Sequence, residues 1–322
     1  MEHHHENVSK KTVNVIGGFL GAGKTTLVNY ILSEMTDKRV DVLVREYGAV
    51  SIDDMLINIK RENIHVFTNI HVHEDPQILL YHYFHKLHDK TIENPFDHLL
   101  MEASGLDAPE GLIHLFFLGH MQQFYELGSY IVITDAEYGQ LNLDEYKVAK
   151  HQISFADVIL LNKVDLADDE EIEHLEKRIH SINSMAEIYR TQYGRVELNK
   201  IMNIDLYEQL KDLSNNSKEE ENSVDNIRTV VLSENRPMDK EKVNEWIQNL
   251  FVTYGNQLLR SKGFFYFKND DYRYEFQAVR KTYHSKADKL WEDDEERKSI
   301  VVLIAEGEID SAMLQKSFSL CN

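Results

Sequence analysis

The chain has 322 residues, enough for two domains, with 35 basic and 55 acidic side chains and a net charge of −20. That charge repels phosphate backbones and anionic membrane surfaces, which argues against nucleic acid and membranes as partners. A single cysteine, Cys321, excludes an intrachain disulfide or a thiolate metal cluster within one chain. With no apolar signal segment at the start and no run suited to a bilayer, a cytoplasmic protein is expected.

His3, His4 and His5 open the chain, a run too short to assign to metal collection. Val13 to Ile16 then predict a short buried strand that leads into GFLGAGKT, Gly18 to Thr25. Strand, glycine-rich turn, Lys-Thr and helix in that order make a P-loop. Gly18, Gly21 and Gly23 open backbone angles that let successive amides, including those of Ala22 and Thr26, turn toward a phosphate. Lys24 reaches the outer phosphates and Thr25 offers its hydroxyl to magnesium. A helix over Thr26 to Glu34 points its positive end at the same anion.

Further apolar runs at Val40 to Val44, His98 to Met101, Tyr130 to Ile133 and Val158 to Leu161 read as strands. Helix-like segments lie between several of them. The clearest is Glu170 to Ile182, with Ile172, Leu175, Ile179 and Ile182 at helical spacing. The alternation predicts an α/β P-loop domain with a mainly parallel sheet and ligands at the carboxyl ends of its strands. Nine of the sixteen histidines fall between His65 and His120. Among them His82, His85 and His88 sit at i, i+3 and i+6 on a predicted helix, a pattern that suits a solvated face better than a metal-loading patch.

The run ending in Glu102 has a glycine, Gly105, three residues on. Glu102 can join Thr25 in the magnesium shell, and the Gly105 amide can sense the terminal phosphate. Lys24, Thr25 and Glu102 are thus the candidate catalytic residues. Asn162-Lys163-Val164-Asp165 follows another strand. Asp165 can accept from guanine's ring NH and exocyclic amine, a donor pair adenine lacks, which selects GTP over ATP. Lys163 can lay its stem on the base, and Asn162 can tie this loop to the P-loop. Residues 214–226, SNNSKEEENSVDN, read as a polar linker between a domain over 11–213 and one over 227–322. The second carries a strand at Ile227 to Leu232, a helix from Asp239 to about Arg260, strands at Gly263 to Phe267, Tyr272 to Val279 and Ile300 to Ile304, and a short terminal helix. That order predicts an α+β fold with a largely antiparallel sheet, and Glu292 to Glu296 read as a solvated loop.

These segments together resemble the CobW-like GTPases, relatives of the nickel chaperones for urease and hydrogenase. GGFLGAGKTTLVNYIL resembles that family's opening, REYGAVSIDD its first switch segment, EASGLDAP its magnesium turn and LLNKVDLA its guanine motif. LLRSKGFFYF and SIVVLIAEGEID resemble its C-terminal domain. The resemblance implies GTP hydrolysis coupled to delivery of a transition metal, often zinc or cobalt, to a target protein. Two departures stand out. The family's Asn-Gly and Cys-x-Cys-Cys signature is replaced by Asn69-Ile70-His71-Val72-His73-Glu74, and Arg45 precedes Glu46 where asparagine is usual. In an extended segment His71 and His73 point to one side and can share an ion, with Glu74 joining if the strand ends there. Imidazole and carboxylate suit zinc, cobalt, nickel or ferrous iron. Glu46 and His120 are further candidate ligands. Two alternatives stay open: a polar loop that has lost the metal site, and a metal-independent GTPase regulator or assembly factor acting through its C-terminal domain.

Overall fold

The apolar run after Lys10 becomes β1 (Lys11–Gly17), in which Val13, Val15 and Ile16 are fully buried. The computed structural model describes residues 10–46, 64–68, 76–93, 96–119, 121–202, 204, 206–216, 225–292 and 295–322. Around β1 lie β2 (Val40–Glu46), β3 (Ile64–Thr68), β4 (His98–Glu102), β5 (Tyr125–Asp135), β6 (Val158–Asn162) and β7 (Glu187–Thr191). They form one sheet in the order β3-β2-β4-β1-β5-β6-β7. β1 pairs in parallel with β4 and β5, β2 with β3 and β4, and β5 with β6. β4 and β6 are buried at every position, the continuous apolar pattern of strands covered on both faces.

The connecting helices are α1 (Lys24–Glu34), α2 (Pro76–Glu93), α3 (Pro109–Leu115), α4 (Met121–Phe124), α5 (Gly139–Glu145), α6 (Lys147–Phe155), α7 (Asp169–Ile182), α8 (Asn199–Met202) and α9 (Leu206–Asn216). α1 buries Leu27, Val28 and Ile31 in a core shared with Ile16, Ile133 and Leu160. α7 starts on a reciprocal cap: the Glu171 amide donates to Asp168 Oδ1 at 2.8 Å, and the Asp168 amide to Glu171 Oε2 at 3.3 Å. Ser214 to Asn216, the start of the expected linker, close α9.

A polar ladder crosses the apolar sheet. His98 on β4 contacts Asn14 Oδ1 at 2.6 Å, Asn14 Nδ2 donates to Ser129 Oγ, and Ser129 donates to the Ile201 carbonyl at 2.7 Å. Because the Asn14 amide nitrogen faces Ser129, its oxygen faces His98, so His98 Nε2 carries the proton. Burial, aided by the Lys38 charge, lowers the His98 pKa to about 4. Above about pH 6.5 both folded and unfolded chains hold this histidine neutral. As pH falls from there toward 4 only the unfolded chain gains the proton, so stability drops by about 1.4 kcal/mol per unit, about 3 kcal/mol in all. Denaturant titrations from pH 7 to 4.5 are expected to show this slope in the wild type and a shallower one in His98→Gln.

Packing groups the chain into two units, one of Met1–Gln152, Ala156–Ile172 and Ile188–Ile204, the other of Ile153–Phe155, Glu173–Glu187 and Asp205–Asn322. The second holds β8 (Ile227–Glu234), α10 (Lys240–Tyr254), β9 (Leu258–Tyr266), β10 (Tyr272–Val279), β11 (Thr282–Leu290), β12 (Ser299–Glu306) and α11 (Ser311–Phe318). Its sheet runs β11-β10-β9-β12-β8, and every pairing is antiparallel. α10 and α11 cover one face through Trp246, Ile247, Leu250, Leu314 and Phe318. Asp239 caps α10 by accepting from the Glu241 and Lys242 amides. The helix does not extend to Arg260: it stops at Tyr254, Gly255 caps it, and Leu258 to Arg260 begin β9. Hydrophobic residues at Leu258 and Leu259 fit either pattern, and pairing with β10 and β12 decides for the strand.

Candidate functional site

β1 ends at Gly17 and α1 starts at Lys24, so the intervening residues must turn the chain from sheet to helix. They do so with left-handed angles at Gly18 (φ 138°), Gly21 (φ 75°) and Gly23 (φ 113°). A side chain at Gly18 would strike the Ile133 carbonyl, and one at Gly23 would meet the Asn162 amide nitrogen at 2.7 Å. Lys24 is buried and folds back over the loop, with Nζ donating to the Gly18 and Phe19 carbonyls at 3.1 and 3.2 Å. Its ammonium is held at the phosphate loop by these backbone oxygens. Ala22 is buried, and Thr26 is exposed on the first turn of α1.

Parallel register aligns Glu102 with Ile16 on one side and Val44 on the other. This alignment delivers its buried carboxylate to Thr25, whose hydroxyl donates to Glu102 Oε1 at 2.8 Å. A hydroxyl and a carboxylate in contact beside a phosphate loop are hard oxygen donors, the set that fits magnesium.

The turn after β4 packs on the P-loop itself. A Cβ on Gly105 would lie 2.9 Å from the Leu20 amide nitrogen. The turn is closed by the Ser104 amide donating to Asp107 Oδ2 at 2.9 Å and the Asp107 amide donating to the Ser104 carbonyl at 3.0 Å. Gln152 on α6 donates to the carbonyls of both Gly105 and Asp107 at 3.2 Å. From β2, Arg45 Nη1 lies 3.4 Å from Asp107 Oδ1, and both side chains are buried.

On the other flank Asn162 ends β6, almost fully buried. Its Nδ2 donates to the Ala22 carbonyl at 3.0 Å, and its Oδ1 accepts from Thr191 Oγ1 at 3.2 Å and the Gly194 amide at 3.0 Å. One side chain thus joins the P-loop to the turn after β7. Lys163 takes a left-handed φ of 62°, and its ammonium donates to Asp135 Oδ2 at 2.6 Å. Asp135 Oδ1 in turn accepts from the Glu137 amide at 2.9 Å. Asp165 lies exposed in the 3-10 turn Val164–Leu166 that follows.

Sequence reasoning missed Thr191, Gly194, Asp135, Gln152 and the Arg45–Asp107 pair. For the first two a signal exists: EIYRT followed by Tyr193-Gly194 is a β-prone run with a turn dipeptide behind it. The others are set by tertiary contact. The candidate transition-metal ligands fare differently. His71, His73, Glu74 and His120 lie outside the described residues, as do His3 to His5; Glu46 closes β2, but its side chain is not among those described. On α2, His82 is exposed, while His88 stacks on Phe124 at 3.8 Å and His85 meets the same ring edge-on at 6.3 Å. Burial lowers the His88 pKa, with Asp89 opposing and His85 adding to the shift. Among the described residues no group of three His, Cys, Asp or Glu side chains is placed to hold a metal ion.

Residues 12–190 match the CobW/HypB/UreG nucleotide-binding domain. The chain belongs to the CobW/HypB/UreG family. Its residues 227–322 match the cobalamin synthesis protein cobW C-terminal domain. Zinc chaperone YjiA of Escherichia coli K12 is 30% identical over 309 residues, covering 90% of this chain and 93% of that protein. The zinc-regulated GTPase metalloprotein activator 1 of Dictyostelium discoideum is 26% identical over 302 residues, covering 79% of this chain and 62% of that protein. The crystal structure of Zn(II)-bound YjiA GTPase from E. coli matches with a TM-score of 0.69 and 27% identity, over 97% of this chain and 99% of that one. A Zn(II)-bound YjiA triple variant, one glutamate and two cysteines changed to alanine, matches with a TM-score of 0.73, 27% identity and the same coverage. The fold expected from the sequence, a mainly parallel P-loop domain followed by a smaller α+β domain, is that of this family. No described helix is long and apolar enough to cross a membrane.

Proposed function

We propose that this CobW/HypB/UreG family member hydrolyses GTP to GDP and phosphate, and binds a divalent transition metal that it passes to a target protein according to the bound nucleotide. The observation that carries the hydrolytic part is the 2.8 Å contact between the Thr25 hydroxyl and Glu102 at the loop that also holds the Lys24 ammonium. Thr25 and Glu102 would hold magnesium, which when bound neutralises charge on the phosphates. Lys24 offers a fixed positive charge for the γ-phosphate, backbone amides of Gly21 to Thr26 cradle the phosphates, and Gly105 reports the terminal one. Asp165 accepts from the guanine edge while Asn162 and Asp135 hold its loop in place.

For the metal, the relatives' names point to zinc, and His71, His73 and Glu74 supply borderline to hard donors that suit it. Zinc titrations of the wild type and a His71→Ala/His73→Ala variant, each with GDP and with a non-hydrolysable GTP analogue, test this reading. The wild type is expected to bind zinc with an affinity that changes about fivefold or more between the nucleotides. The variant should lose at least tenfold in affinity, about 1.4 kcal/mol. Four coincident titrations sink metal delivery and leave a GTPase that regulates or assembles a partner through its C-terminal domain.

A further inference from the structure

Lys163 and Tyr193 both lie beside Asn162, and both hold left-handed backbone angles, φ 62° and 56°. Three other described non-glycine residues share that region, Asn226, Asn269 and Arg280, and each has a local reason. Asparagine tolerates it, and Arg280 belongs to the two-residue hairpin turn joining β10 to β11, where left-handed angles are usual. Lys163 gains the Asp135 carboxylate. Tyr193 stays 66% exposed, so burial of its ring does not offset the strain. The Arg195 amide donates to the Gln192 carbonyl at 3.1 Å, which makes Tyr193 and Gly194 (φ 67°) the central residues of a β-turn with the type I′ sign pattern. That turn favours asparagine at the first central position, and a bulky aromatic there is an outlier. Its place is nonetheless fixed. Thr191 Oγ1 and the Gly194 amide both donate to Asn162 Oδ1, at 3.2 and 3.0 Å, and a Cβ on Gly194 would lie 3.2 Å from Leu27 Cβ of α1. The strained tyrosine is thereby held beside the residue from which Lys163 and Asp165 extend.

We propose that Tyr193 is a nucleotide-binding residue whose ring packs on the purine of the bound guanine nucleotide and forms, with the Lys163 stem, the walls of the base slot. Asp165 reads the edge of the base, and Tyr193 grips its face. Every purine offers the same π-surface, so this contact adds affinity without choosing among purines. Strained residues collect at ligand clamps because the ligand supplies what the fold does not. Asn162 already locks the turn, so the backbone under the ring is set before nucleotide arrives and little order is lost on binding.

This inference rests on the guanine-nucleotide site proposed above, and its test separates the two. Calorimetry measures the binding of GDP, inosine diphosphate and pyrophosphate to the wild type, Tyr193→Phe, Tyr193→Asn and Tyr193→Gly, and thermal unfolding follows each protein free of nucleotide. Tyr193→Phe should keep its GDP affinity within about twofold, since the ring remains. Tyr193→Asn and Tyr193→Gly should bind GDP about tenfold or more weakly, lose the same factor for inosine diphosphate, and bind pyrophosphate as the wild type does. Free of nucleotide, these two should melt no lower than the wild type, because asparagine and glycine suit the turn. Lost affinity without lost stability marks a ligand contact. A Tyr193→Asn or Tyr193→Gly protein that binds GDP within about twofold of wild type overturns the assignment and leaves the guanine site standing. A loss shared equally by pyrophosphate, or a lower melting point in both variants, overturns it as well. A wild type that binds GDP no more tightly than pyrophosphate overturns both the base site and the tyrosine's part in it.

Discussion

Lys24→Ala is expected to lower the turnover number for GTP by about 10²- to 10³-fold, the loss typical of removing one preorganised charge from a developing oxyanion. The lysine is buried, and its ammonium is fixed by the Gly18 and Phe19 carbonyls, so no reorganisation is needed when phosphate charge builds up. Arginine should not rescue it. The guanidinium is a wide planar fork and does not reproduce the compact ammonium that the Gly18 and Phe19 carbonyls hold. Phosphate release from GTP in the absence of any acceptor is the measurement. It also separates hydrolysis from transfer to a small molecule, the other reaction that P-loops support. A turnover within about threefold of wild type would sink the assignment of Lys24 to the γ-phosphate.

Asp165→Asn is expected to cut the preference for GTP over ATP by about 10²-fold or more, because a site built to accept two hydrogen bonds loses that ability on exchange of an oxygen for an NH₂. The chemistry makes a sharper prediction still. Xanthine carries an oxygen where guanine has its exocyclic amine, so an asparagine oxygen can accept from the ring NH while its amide donates to that oxygen. The variant should therefore prefer xanthosine triphosphate to GTP. Asp165 is exposed in a short 3-10 turn, so stability should move by no more than about 0.5 kcal/mol. Competition among the three nucleotides against a fluorescent GDP checks it. Unchanged selectivity would show that base recognition lies elsewhere.

The parts of this protein that could be read from its sequence are those whose chemistry is local. Gly18, Gly21, Gly23, Lys24 and Thr25 are neighbours, and their spacing alone prescribes a phosphate loop. Glu102 was legible because a strand with a terminal carboxylate is a short pattern, although its meeting with Thr25 depends on the register of β1 and β4. Asn162 was legible as a tie to the P-loop, but not as the acceptor for Thr191 and Gly194, because β7 shows weak alternation and has one buried residue. β11 was invisible for a similar reason: most of its residues are exposed, so only pairing with β10 defines it. Lys163 was read for its stem, whereas its head meets Asp135 on a different strand. Arg45 could be singled out as unusual from sequence. Its partner Asp107 could not, since nothing local joins two residues on separate elements.

The ladder from His98 through Asn14 and Ser129 to Ile201 has a consequence for how the sheet assembles. Asn14 sits where the pairing of β1 with β5 slips: Val13 faces Leu127 and Val15 faces Tyr130, so Gly128 and Ser129 together oppose one residue. A Cβ on Gly128 would press on the Asn14 amide at 3.0 Å, which leaves room there only for glycine. Sliding β1 by one residue would turn Asn14 to the other face of the sheet and strand His98 and Ser129 among buried aliphatic side chains. Each abandoned polar group costs about 1–3 kcal/mol. Three strands rich in valine, leucine and isoleucine could otherwise pair in several nearly equivalent alignments. The ladder acts as a key cut into that apolar surface, fitting one alignment alone. It thereby sets the position of every residue that β1 and β4 carry to the phosphate loop.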